Sequence, residues 1–163
     1  MTKSLKHTGR RTGAVLVSLL LLLTLTVSAS AAAVKMTVGV RFWRESGDKE
    51  SMADSAVDTT REATLTRQPN GTFTLELPVK QLSSMNMTGS LTGIAIGEVN
   101  YDGTLSGDLS DGTAVLTLKN LPASVLTGSD PSKALAVTCS IRMDTILLGD
   151  IATSAKMSIW VER

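Results

Sequence analysis

Residues 50–80 read ESMADSAVDTTREATLTRQPNGTFTLELPVK, and the second half of this stretch is a β-hairpin in sequence form. Ala63, Leu65 and Arg67 lead into Pro69-Asn70-Gly71, residues that favour a turn. Phe73, Leu75, Leu77 and Val79 then alternate with Thr72, Thr74, Glu76 and Pro78, the period of two that marks a half-buried strand. Pro78 falls on the polar side, where a strand end or an edge tolerates it. The first half is different. A compact Ser-Met-Ala-Asp turn containing Met52 sits directly in front of the hairpin, with little else to pack against it.

Strands extend in both directions from this hairpin. Val34, Met36, Val38, Val40 and Phe42 alternate with Lys35, Thr37, Gly39, Arg41 and Trp43. Residues 89–112 carry six glycines, too many for a helix, and read as short strands around Ile94-Ala95-Ile96 and Val99-Asn100-Tyr101 with open turns. A strand over 113–119 precedes a loop through Pro122 to Pro131. Two strands close the chain: Leu135, Val137, Cys139, Ile141 and Met143 form one apolar face, and Ala155, Met157, Ile159 and Val161 the other. Seven or eight short strands at this spacing predict an all-β, antiparallel, immunoglobulin-like β-sandwich with one solvated face per sheet.

The N-terminus belongs to a different class. Lys3, Lys6, Arg10 and Arg11 precede an apolar run of 14 residues from Ala14 to Val27, and Ala29-Ser30-Ala31 follows. A basic region, a short apolar core and an A-x-A site predict a secretory signal peptide over 1–31, leaving one domain at 32–163. The run is shorter than the ~20 residues that span a bilayer, so no stable membrane span is expected after cleavage. The leucine run favours general export over a twin-arginine route. The expected location is secreted or cell-surface, with cleavage after Ala31 or one to three residues later.

Removing that segment leaves 12 of the 16 Lys and Arg against 15 Asp and Glu, a net charge of about −3. A mildly acidic surface argues against nucleic acid as a partner, because phosphate binding needs clustered positive charge. His7 is the sole histidine and leaves with the signal. A chain without imidazole has no Ser-His-Asp or Cys-His pair and no ordinary zinc set, so no enzymatic activity is expected. Cys139 alone forms no internal disulfide, and its apolar stripe predicts a buried, inert thiol. Met143 and Met157 lie on the same stripes and pack the core. Asp102, Asp108 and Asp111 sit among glycines at a spacing unlike a calcium loop and read as solvated turns.

Ser51-Met52-Ala53-Asp54-Ser55-Ala56-Val57 followed by a hairpin resembles the lip of a NEAT (near-iron-transporter) domain. The Thr-Ala-Val-Leu-Thr-Leu strand, the Leu-Pro loop and the long final hairpin fit the same pattern, and the resemblance covers most of residues 34–163. It implies an immunoglobulin-like sandwich with a short 3₁₀ lip, binding haem between the lip and the last two strands and passing it between surface proteins. Ser51 then matches the serine that bonds a haem propionate, and Met52 the residue facing the distal side of the iron, where its thioether is a candidate ligand. Ala56 stands where the family usually has a large aromatic. The family's iron ligand is a tyrosine in a Tyr-x-x-x-Tyr pattern at the start of the last strand. Residues 147–156 here contain no tyrosine, Asp150 and Ile151 being the registers that best fit the pattern, and Tyr101 is the only tyrosine in the chain.

Bland readings stand beside these. Met52 caps the end of the sandwich, or it faces a ligand. Ser51 caps the lip turn, or it bonds a propionate. Trp160, on the outward face with Lys156, Ser158 and Glu162, floors a slot or covers a sheet edge. The expected function is a non-enzymatic binding module for haem or a haemoprotein, with other cell-surface proteins as further partners. The alternative is a structural or adhesive surface module that no longer binds haem.

Overall fold

Val34–Trp43 forms the first strand, β1, and it serves two partners. Its first half pairs with β2 (Ala63–Arg67), from Val34 opposite Arg67 to Val38 opposite Ala63. Its second half pairs with the last strand, β10 (Asp150–Val161), from Val38 opposite Val161 to Trp43 opposite Lys156. One strand therefore belongs to both layers of an antiparallel β-sandwich, passing between them at Val38–Gly39. The computed structural model describes residues 32–84, 87–144 and 149–162; the expected signal peptide at 1–31 and Leu147-Leu148 lie outside the described residues.

Eight further strands complete the described architecture or share its ladders. They are β3 (Phe73–Pro78), β4 (Leu82–Ser84), β5 (Met87–Ile96), β6 (Val99–Asp102), β7 (Thr104–Ser106), β8 (Val115–Leu121) and β9 (Leu135–Met143), with β2 as above. One layer runs β5-β9-β10-β1, with β4 and β6 both paired to β5; the other runs β1-β2-β3-β8-β7. The second passage between layers is the single residue Gly103, between β6 and β7. A Cβ there would run into the Leu116 side chain, and its N–H donates to the Thr92 carbonyl at 2.8 Å. Glycine is needed because two backbones and a core leucine meet at that corner.

Alternation explains the interior. Phe42, Leu65, Leu75, Leu116, Ile141 and Met157 are fully buried, and each contributes about 1.5–3 kcal/mol of apolar burial. The expected strand at 113–119 runs instead to Leu121. Phe73 faces Leu121 and Leu75 faces Leu118, so β8 carries an extra residue, and Asn120 takes a left-handed φ of 61° within that bulge. The last strand begins at Asp150, five residues before its apolar alternation. Its polar start is held by pairing with β9, including an Arg142–Asp150 ion pair at 3.0 Å. No helix among the described residues is long and apolar enough to cross a membrane.

Candidate functional site

The lip is a 3₁₀ turn over Met52–Ala56. The Asp54 N–H donates to the Ser51 carbonyl at 3.1 Å, the Val57 N–H to the Asp54 carbonyl at 3.0 Å, and the Ser55 hydroxyl to the Met52 carbonyl at 2.7 Å. What fixes this turn to the sandwich is Asp54, which is 5% exposed. Its Oδ1 accepts the Phe42 N–H at 2.7 Å and its Oδ2 accepts from Arg41 Nη1 at 2.9 Å. The Phe42 carbonyl in turn accepts the Ser51 N–H at 2.8 Å. The lip thus covers the edge of β1 that β2 abandons at Val38, satisfying backbone groups that would otherwise lack partners.

This anchoring determines which side chains meet a ligand. Ala53 and Ala56 point into the core and are 0% exposed, so Ala56 offers no surface to a bound molecule. That removes it from the expected haem contacts, because the turn uses its methyl group to seat the lip. Met52 remains 40% exposed. Ser51 does not cap the turn with its side chain, and its Oγ is buried with no hydrogen-bond partner among the described residues.

The lip lies along one edge of β1 and β10 along the other, so the outward residues of β1, Arg41 and Trp43, stand between Met52 and the last hairpin. The Trp43 Nε1–H donates to Ser158 Oγ at 3.0 Å. Ser158 sits on the outward face of β10 yet is fully buried, consistent with the indole lying across it. Arg41 is committed to the lip through Asp54 and through Glu50 at 2.9 Å. Trp160 lies opposite Gly39, and a Cβ at 39 would fall within its ring.

Two adjoining depressions result instead of one slot. The lip depression, about 580 Å³, is lined by residues that include Arg44, Ser51, Met52, Ser55 and Lys80. The other, about 220 Å³, lies beside Trp160 and is walled by Asp58, Thr60, Arg61 and Glu62. Arg41, Val57 and Thr59 border both. Small-molecule pockets usually measure ~300–1,000 Å³, so the lip depression alone has adequate volume. Ser51 and Met52 are brought together there, and Trp160 is set apart from them by Arg41.

Donors for a metal are few. Among the described residues no three His, Cys, Asp or Glu side chains gather around a common point. Tyr101 is on β6, separated from β10 by β5 and β9. Cys139 is buried, and burial pushes its thiol up to about 12, as an inert core cysteine requires. Trp43 and Asp54 were not singled out as functional by the sequence reading. Trp43 carried a usable signal: it shares the outward parity of Lys35 and Arg41, and a large aromatic on a solvated face invites a ligand or a covering role.

No family model matches the chain. No curated protein matches it either. Among solved structures it is similar to a point mutant of IsdX2-NEAT5 in complex with haem, at a TM-score of 0.52 and 8% identity, covering 80% of this chain and 98% of that one. At that identity the likeness concerns the fold: the chain is an antiparallel β-sandwich of the NEAT-like, immunoglobulin-like kind. Function has to be argued from the site.

Proposed function

We propose that this protein is an exported, non-enzymatic binding module that takes up haem, free or from a haemoprotein, on the surface between the lip and β10. The observation that carries the reading is Met52, a thioether held in solvent by a turn whose neighbouring residues Ala53, Asp54 and Ala56 are all buried. A rigid turn with an exposed soft donor suits a ligand better than it suits packing.

The surroundings agree with this reading. Arg44 and Lys80 line the lip depression and Lys156 faces Trp43 across the ladder, and none of the three is ion-paired among the described residues. Such a rim suits the two carboxylates of a porphyrin. Ser51 lines the same depression with its hydroxyl buried and unpartnered among the described residues, so a rotation of that side chain would offer it to a propionate. For the iron, Met52 is the one soft side chain facing this surface among the described residues, a weaker anchor for ferric iron than a phenolate. Haem bound here would supply only its own ring, charge and iron; the protein binds and orients it.

Haemin titration of residues 32–163, followed by absorbance, tests the reading. Met52→Ala is expected to weaken binding or move the bands, and Ser51→Ala to cost about 0.5–1.5 kcal/mol. No spectral change at micromolar haemin would favour the second reading, a structural or adhesive surface module. That alternative is supported by the tie between Asp54 and Phe42, which gives the lip a scaffolding role independent of any ligand. Export is tested by the intact mass of the released product, expected to begin near Ala32.

A further inference from the structure

We infer that β6, the strand Val99–Asp102, is a docking edge for an extended peptide of alternating basic and apolar residues, which adds to the β5 layer as a further strand. This surface is separate from the lip. The lip stands on β1, and β5, β9 and β10 lie between β1 and β6 in the sheet order.

Backbone direction makes β6 receptive. The Gly103 N–H donates to the Thr92 carbonyl of β5 at 2.8 Å. Backbone groups point alternately to the two sides of a strand, so Tyr101 and Val99 also turn theirs toward β5, opposite Ile94 and Ile96. The N–H and C=O groups of Asn100 and Asp102 therefore point away from it. Among the described residues β6 has no ladder except the one with β5, and no loop reaches those outward groups. Both residues are exposed. Native edges are commonly blunted by lysine, proline, a bulge or a covering loop, and β6 has none of these.

The two faces of β6 select the occupant, because side chains alternate across a strand. Val99 and Tyr101 share the face of Ile94. Val99 is 54% exposed and Tyr101 is half-buried against the core, so an added strand meets apolar surface there. Asn100 and Asp102 stand on the other face. A depression of about 440 Å³ beside Asp102 is lined also by Arg142 and Asp150. Those two satisfy each other at 3.0 Å, and Asp102 has no ion pair among the described residues.

The surroundings carry the same sign. Residues 81–118 contain Glu98, Asp102, Asp108 and Asp111 and no Lys or Arg. Opposite charges across a ladder stabilise it, and like charges weaken it. A lysine or arginine beside Asp102 and apolar residues beside Val99 and Tyr101 therefore fit this edge. A second copy of β6 brings acid against acid and is disfavoured.

The test is to titrate the mature protein with a capped hexapeptide of alternating lysine and valine, following NMR shifts and amide hydrogen exchange. Binding should slow exchange at Asn100 and Asp102 and leave Val99 and Tyr101, already bonded to β5, little changed. Raising the salt should weaken it. An alternating glutamate-valine peptide should not bind. A block peptide of three lysines then three valines, equal in charge but without alternation, should bind about fivefold more weakly or worse. Asp102→Asn should weaken binding about two- to fivefold. Asn100→Pro removes an outward N–H that nothing in the domain uses, so it should abolish binding and keep the fold. No binding, equal binding of the block peptide, or protection confined to other strands overturns the inference. An Asn100 amide already protected in a dimer of the protein alone does so too, since the occupant is then a second copy. The exchange map needs no variant, so poor folding of Asn100→Pro would not blunt the test.

Discussion

The Asp54 carboxylate takes the place of a strand beside Phe42: Oδ1 accepts the Phe42 N–H at 2.7 Å, while the Phe42 carbonyl accepts the Ser51 N–H at 2.8 Å. A short turn thus reproduces both halves of a ladder pair along the stretch of β1 that β2 leaves. The Ser-Met-Ala-Asp sequence has a structural logic in which alanine seats the turn, aspartate ties it down, and methionine is left outside. Asp54→Ala is expected to cost about 2–4 kcal/mol, since it strips a buried N–H and one arm of Arg41 of a charged partner. Asp54→Asn, which keeps an acceptor, should cost less. Urea denaturation measures both, and hydrogen exchange at Phe42 should accelerate in the alanine variant.

Gly39 and Trp160 form a second coupled pair. A methyl group at 39 has no room beneath the indole, so Gly39→Ala is expected to destabilise the fold by about 1–3 kcal/mol. Trp160→Ala should relieve most of that clash, giving a positive coupling in a double-mutant cycle. Additive effects would mean that the ring yields freely, and would remove the reason for glycine at this position.

Cys139 should be silent in the folded protein. It is 0% exposed and its thiol is pushed up to about 12 by burial. A thiol reagent at neutral pH is expected to react only after denaturation, and stability should be the same with and without reductant. Rapid native-state labelling would contradict the inward facing of residues 137, 139 and 141.

Five carboxylates are held below their ordinary values, and two of them, Asp58 and Glu76, illustrate the pH dependence. Asp58 titrates below its ordinary 3.8, chiefly because the Thr60 hydroxyl donates to it. Glu76 titrates below 4.5, chiefly through the Thr64 hydroxyl and then Lys35. A carboxylate depressed in the folded state stabilises the fold above its unfolded value and loses that contribution as the pH falls through its folded value. Stability is therefore expected to be level from neutral pH to about 5 and to decline below about 4.5. Thr64→Val should move the Glu76 titration upward, which carbon-detected NMR would read directly.

A ligand-forming substitution separates the two faces of β10. Of the two registers the sequence favoured for a tyrosine, Ile151 packs against the core, whereas Asp150 is exposed with the even-numbered residues. Ser154 shares that face and lies two residues from Lys156, the partner of Trp43. Ser154→Tyr is expected to strengthen ferric haem binding by about tenfold or more, because a phenolate is an established axial ligand. Ile151→Tyr should instead destabilise the fold. Equal haem affinity in Ser154→Tyr and the parent would place the bound iron elsewhere.

The strands were legible because each apolar stripe has its own period of two, as in Val38-Val40-Phe42 or Val137-Cys139-Ile141. The lip was legible as a compact turn, but the exposure of Met52 was not, because the pattern allowed it to cap the sandwich or to face outward. What sequence spacing left hidden were relations between distant residues. β5 runs Met87–Ile96, much longer than the Ile94–Ile96 segment that alternation marks, because its glycines accommodate close neighbours; a Cβ at Gly93 would come 2.8 Å from the Tyr101 carbonyl. The division of the expected slot into two depressions depends on Arg41 being drawn to Asp54 and Glu50, a choice that no local pattern records. Trp43 meets Ser158 only because β1 changes partners at Val38.

That change of partners also governs when the fold can form. Val38–Trp43, near the start of the domain, find their ladder only in residues 156–161 at its far end. Pairings between segments this far apart in sequence close late, after the entropy of the intervening loop has been spent. A chain still emerging from a ribosome has half of its first strand unmatched and one layer missing its middle. Asp150–Val161 is then the clasp that sets the whole domain.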